Sequence, residues 1–278
     1  MFGVNLFAPS PLPVDPAEFR RYAELIQPEA DAYGIDLGAA EPVEDDDAWS
    51  AKVDLLVADP VPLVSFTFGV PDRTVVTALR RAGSVTVQTV TTVDEAGLAE
   101  EAGVDVLAVQ AAAAGGHSAT LAPRRPIADV PLPALIAAVH ERTRLPLVGA
   151  GGIATAADVA AALAAGADAV MVGTALLRSD ESAASAVHKA ALAAGGETVL
   201  TRAFTGRPAR GLRNRFIDRY DAAAPYGYPA IHHLTSGLRR AAVAAGSPDP
   251  INLWSGTGHR GATAEPAATI LTRLAASA

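Results

Sequence analysis

The chain has 278 residues, half of them hydrophobic, with no cysteine and a formal net charge of -8. This length and apolar content are enough to bury the core of one large domain, and the negative charge argues against nucleic acid or an anionic membrane as the main partner. The lack of cysteine excludes disulfides, thiolate metal sites and cysteine nucleophiles.

Aromatic residues make up only 5% of the chain, a balance that suits packed strand and helix layers of the α/β class. The first apolar run, Gly3–Phe7, lacks the basic region and cleavage pattern of a signal peptide. No run reaches the roughly 20 uncharged residues of a membrane helix, so a cytoplasmic protein is expected. Further runs at 63–69, 84–90, 104–110, 146–152 and 169–176 are rich in Val and bounded by Gly, Pro or Asp. Apolar on both faces, they read as six strands of a parallel sheet buried on both sides. An acidic cluster within 42–52, Glu44-Asp45-Asp46-Asp47, reads as a solvated loop or helix start. Helical periodicity marks 74–82, 95–102, 132–143 and 155–165, the last opened by Thr155 and Asp158 at capping-box spacing. Strand and helix alternate as successive βα units.

A short repeat supports that alternation. Ala102-Gly103-Val104-Asp105 and Ala165-Gly166-Ala167-Asp168 each precede an apolar strand; the glycine suits a helix C-cap and the aspartate opens the strand. After Leu176 the chain becomes helical and then basic, with Arg207, Arg210, Arg213 and Arg215, and 251–261 is rich in glycine. Residues 1–180 are therefore expected to form a βα barrel and 181–278 a helical segment or lid.

Parallel βα folds place ligands at the carboxyl ends of their strands. Three ends carry chemistry: Gln110 leading to Gly115-Gly116-His117, then Gly149-Ala150-Gly151-Gly152, then Met171-Val172-Gly173-Thr174. Gly151 and Gly152 lack side chains that would bar backbone amides from a phosphate, and the following helix aims its positive end the same way. Gly173 and Thr174 add amides and a hydroxyl from the neighbouring strand. His117 stands just after a strand end, where imidazole serves as a general base or an anion partner. Asn5 and Gln110, also at strand ends, offer amide edges to a flavin or nucleobase. His140 and His188 read as surface residues on helices. The pair His232-His233 has no further ligands at metal spacing, so no metal is expected.

At these residues the sequence resembles the nitronate monooxygenase family, flavin mononucleotide (FMN) enzymes on a βα barrel. The stretches that carry the resemblance are Gly3–Phe7 with Phe2, 64–69, Val109-Gln110 through His117, 149–153, 166–174, 203–215 and 252–256. The resemblance implies that Asn5, Gln110, Gly115, Gly151, Gly152, Met171, Val172, Gly173 and Thr174 hold FMN and that His117 is catalytic. It implies oxidation of a nitronate by molecular oxygen to a carbonyl compound and nitrite, and it is compatible with a homodimer. Ala111 and Ala113 stand where the family has Gly and Glu, Ala119 where Gly is common, and Thr257 where Gln is frequent. Family members open with two further βα units, so this chain is expected to supply strands three to eight, six strands that leave the barrel incomplete. Two other readings compete: an FMN- and NAD(P)H-dependent enoyl reductase sharing the Gly-Gly-His loop, and an incomplete barrel that binds no flavin.

Overall fold

The computed structural model describes residues 2–277. In chain order the elements are β1 (Gly3–Phe7), α1 (Pro16–Asp31), α2 (Trp49–Ala58), β2 (Leu63–Thr67), α3 (Arg73–Ala82), β3 (Val85–Val90), α4 (Val93–Ala102), β4 (Val106–Gln110) and β5 (Gly116–His117). There follow α5 (Leu132–Arg142), β6 (Leu147–Ala150), α6 (Ala156–Ala164), β7 (Ala169–Met171), α7 (Ala186–Ala194), β8 (Thr198–Thr201), β9 (Ala209–Leu212), α8 (Arg215–Tyr220), α9 (Ala230–Ala244) and α10 (Ala267–Leu274). The six expected strands all form, joined in the parallel order β1-β2-β3-β4-β6-β7. This is the βα-barrel arrangement with six strands; among the described residues β1 and β7 each pair on one side only.

The Ala-Gly-x-Asp repeat staples the sheet together. Gly103 and Gly166 end their helical segments at φ 87° and 107°. The Asp105 carboxylate then accepts from the Thr86 amide at 2.9 Å and from the Thr86 hydroxyl, and Asp168 accepts from the Leu147 amide at 2.8 Å. Each aspartate thus ties the strand it precedes to the neighbouring strand's start. The Thr155–Asp158 capping box is present at α6 and is worth about 1 kcal/mol.

The expected burial on both sheet faces is complete on one and partial on the other. Leu6, Phe66, Leu107, Val109 and Leu147 are buried under the helices. The opposite face buries Val87, Ala108 and Ala150 but exposes Phe7, Leu63, Val85 and Met171 by 38, 37, 43 and 51%. The physical reason is position: the buried residues lie on β3, β4 and β6 in the middle of the sheet, and the exposed ones on its edge strands β1 and β7 or at the first residue of β2 and β3.

The segment after Leu176 is not purely helical. β8 and β9 form an antiparallel hairpin, and β5 joins β9 to make a second, three-stranded sheet of order β5-β9-β8. A second apolar cluster joins α1, through Phe19, Tyr22 and Ile26, to Phe204, Phe216, Ile231 and Leu238. Beside it Glu29, 7% exposed, receives both Arg215 guanidinium nitrogens at 2.7 Å and the Tyr220 hydroxyl at 2.9 Å. The acidic cluster is the loop it was expected to be, ending where α2 starts; Asp47 pairs with Lys52 and Asp45 with His233.

Candidate active site

His117 lies in β5, a two-residue strand of the second sheet, rather than in a loop. Its position is fixed by Gly116 and His117 pairing with Arg210 and Ala209 of β9. From the barrel side, Gln110 at the end of β4 donates to the His117 carbonyl at 3.2 Å and accepts from the Ala119 amide at 2.8 Å. Arg210 donates to the Ala112 carbonyl at 2.6 Å and so braces the intervening turn. The histidine therefore sits at a seam between two sheets.

Around its ring stand Phe68, Tyr228 and Trp254, with centroids 5.6, 5.6 and 5.5 Å away. Phe68 holds a φ of +80°, unfavourable for a bulky side chain and a mark of strain stored at a working site. One face of its ring stacks on Phe7 at 4.7 Å; the Arg207 guanidinium lies 4.0 Å from its centroid. Arg207 is fully buried, and Nε and Nη1 have no partner, while Nη2 donates to the Thr120 carbonyl at 2.5 Å. Among the described residues no carboxylate pairs with it. Burial first, then the positive charge of Arg207, push the His117 pKa down to about 3. His117 is thus a neutral imidazole beside a buried cation.

His232 is a second neutral imidazole. Arg239 donates to its Nδ1 at 3.2 Å, which leaves the proton on Nε2. Burial and Arg239 push its pKa down to about 4.

One cavity borders this cluster and a second reaches Gln110, which bonds to the His117 backbone. One, of about 580 Å3, is walled by Phe7, Phe68, Tyr228, Pro229, His232, His233 and the proline-rich 9–13 segment, with the acidic run Glu44-Asp45-Asp46-Asp47 on another side. The other, of about 200 Å3, is lined by Gln110, Gly115, Gly151, Gly152, Met171, Val172, Gly173, Thr174, Gly256 and Gly258. Eight of the expected residues thus converge on one cavity. Gly151 and Gly152 adopt φ of 108° and 79°, and a Cβ on Gly152 would stand 3.1 Å from that of Ala113. The amides of Gly151, Gly152, Gly173 and Thr174 donate to no protein acceptor among the described residues. Unpaired amides in a glycine-lined cavity at the start of α6 form a cradle that fits a phosphate. At Gly115 a Cβ would come within 2.5 Å of the Gly256 amide nitrogen, so only glycine lets the Gly256 backbone close the cradle. Gly256 in turn donates to the Thr174 hydroxyl at 2.9 Å.

Asn5 stands apart from both linings: on the open face of β1 its Oδ1 accepts from the Ser65 and Thr67 hydroxyls at 2.9 and 3.0 Å. His140 is exposed as expected. His188 is not a surface residue; it is half-buried, 3.1 Å from the Trp254 carbonyl, because α7 packs against the chain that carries Trp254. Phe68, Thr205, Arg207, Tyr228, His232 and Trp254 were not singled out from the sequence as site residues. Phe68, Thr205, Arg207 and Trp254 lie in the stretches 64–69, 203–215 and 252–256 that carry the likeness to the family, and Tyr228 and His232 lie in none. A larger cavity, about 710 Å3, lies between α1 and the turn around Tyr226 and contains none of these groups.

Against known proteins, the family profile described as nitronate monooxygenase matches residues 1–276. The chain belongs to the nitronate monooxygenase family. As a member it is an oxidoreductase. It is 34% identical over 282 residues to a protein of Staphylococcus aureus (strain Newman) described as "Probable nitronate monooxygenase", covering 98% of this chain and 78% of the relative. The structure of a nitroalkane oxidase from Streptomyces ansochromogenes superposes with a TM-score of 0.91 at 45% identity, covering 99% of this chain and 80% of that one. FabK from Thermotoga maritima shares the fold, with a TM-score of 0.70 at 23% identity over 99% of this chain and 91% of that one.

Proposed function

We propose that this member of the family oxidises alkyl nitronates with molecular oxygen, releasing a carbonyl compound and nitrite, and that FMN is its cofactor. The observation that carries the reading is the glycine cradle, tied through Gln110 to a neutral, ring-surrounded His117 that has the buried cation Arg207 beside it. The likeness to a nitroalkane oxidase supports the substrate class.

When bound, FMN supplies the redox chemistry, accepting electrons from the nitronate and passing them to oxygen. The chain supplies position and charge. The free amides of Gly151, Gly152, Gly173 and Thr174 suit the FMN phosphate, and Gln110 links that cradle to His117. Arg207 places one buried positive charge beside His117, a local attraction for an anionic nitronate at that ring. His117 takes the proton when the substrate arrives as a neutral nitroalkane. In this reading residues 1–180 provide the barrel and 181–278 a cover that brings Thr205, Tyr228 and Trp254 against His117, and the reaction runs in the cytoplasm.

The test is nitrite release from nitroethane and its nitronate by FMN-supplemented protein. His117→Ala is expected to lower nitroalkane turnover by roughly two to four orders of magnitude; wild-type turnover in a flavin-loaded variant removes the role given to His117. Protein that takes up no FMN contradicts the cofactor. Rapid NAD(P)H oxidation with an enoyl thioester, and none of the nitro chemistry, contradicts the substrate class.

A further inference from the structure

The tautomer of His117 can be read from its neighbours. Thr205 is 1% exposed, and its Oγ1 lies 2.9 Å from His117 Nε2. A hydroxyl has one proton to give. Here it donates to the Arg207 carbonyl at 3.1 Å and accepts from the Arg207 amide at 3.4 Å. That carbonyl has no other donor among the described residues, and a buried carbonyl left unpaired costs about 1–3 kcal/mol. Turning the hydroxyl toward His117 would strand it. The proton in the 2.9 Å contact therefore belongs to His117 Nε2. Among the described residues Nδ1 has no hydrogen-bond partner, and it is not one of the fully enclosed polar atoms, so it is the nitrogen open to an incoming molecule.

We infer that Thr205 is a positioning residue: it holds the His117 proton on Nε2, so that Nδ1 is the atom that takes the proton from the carbon bearing the nitro group. The C–H bond breaks, an Nδ1–H bond forms, and the electron pair moves onto the nitro group, leaving an anionic nitronate beside an imidazolium. The imidazolium keeps its Nε2–H bond to Thr205. The activity part of this inference rests on the proposed function; the tautomer does not.

The tautomer is tested by 15N NMR of histidine-labelled, FMN-supplemented protein at neutral pH. His117→Gln identifies the His117 signals among those of the six histidines. A protonated Nε2 and bare Nδ1 are expected; a proton on Nδ1 overturns the inference. Thr205→Ser, which keeps the hydroxyl, should retain the wild-type tautomer and turnover. Thr205→Val should mix the tautomers and lower turnover of a neutral nitroalkane roughly ten- to a hundredfold more than that of the pre-formed nitronate, part of the usual contribution of an acid or base. Unmixed tautomers in Thr205→Val, or equal losses on the two substrates, refute the role of Thr205. Should Thr205→Val fail to fold, Thr205→Ala removes the hydroxyl for the same comparison, and the wild-type spectrum alone decides the tautomer. Absence of any nitro chemistry would instead defeat the proposed function while leaving the spectra interpretable.

Discussion

At the scale of single residues, His117 and His232 share one electrostatic condition: each is enclosed and each faces a buried guanidinium, so each stays neutral to about pH 3 and about pH 4. An unfolded histidine titrates near 6.5. Because the folded values are depressed, the unfolded state binds more protons below 6.5, so the stability present above that pH falls as the pH drops toward the folded values. Wild-type protein should lose urea resistance between pH 7 and pH 5, and His117→Gln should lose measurably less; equal losses would contradict the depressed pKa. For the same reason, turnover of a nitroalkane should show no His117 inflection near pH 6.5. His117 and the glycines were legible because they stand at strand ends, where βα folds put ligands. Thr205 was not, because it lies 88 residues along the chain and only the folded hairpin brings it to the ring.

The elements tell the same story through their periods. Six strands and four helices could be read because each carries a repeating apolar pattern, and the Ala-Gly-x-Asp repeat marks two junctions. β5 could not, since two residues have no period. α1 carried a readable signal that went unused: Asp15 caps it ahead of Pro16, and Phe19, Tyr22, Ala23, Ile26 and Ala30 form one buried stripe. At the cradle, conformation and space coincide at Gly152, where φ is 79° and Ala113 stands close. Gly152→Ala is expected to cost about 1–2 kcal/mol of stability, since a side chain resists the left-handed region. It should also weaken FMN binding by tenfold or more, as read by flavin fluorescence titration. Unchanged affinity would show that the cradle does not hold the cofactor.

Over the whole molecule, the N-terminal α1 is held to the C-terminal part by Glu29. Its hydrogen bonds to Arg215 are the largest cause of its pKa lying below the usual carboxylate value. The stability this gives is present above about pH 4.5 and is lost as the pH falls through the lowered value. Glu29→Gln should therefore destabilise the protein by about 1–3 kcal/mol at pH 7, the range for hydrogen bonds to a charged group, and by progressively less below pH 4.5. A penalty that persists unchanged in acid would mean that packing, not charge, holds this contact.

The seam at β5 also orders events in time. As the chain leaves the ribosome, β1 to β4 with their helices can pair from local contacts, and His117 emerges with them. Its strand partner Ala209, its hydroxyl partner Thr205 and the rings of Tyr228 and Trp254 follow only after the rest of the sheet. The nascent barrel thus passes through a stage in which its central histidine is fully exposed to water, near its ordinary basicity, and becomes the weakly basic imidazole of the finished site only when the last quarter of the chain has folded over it.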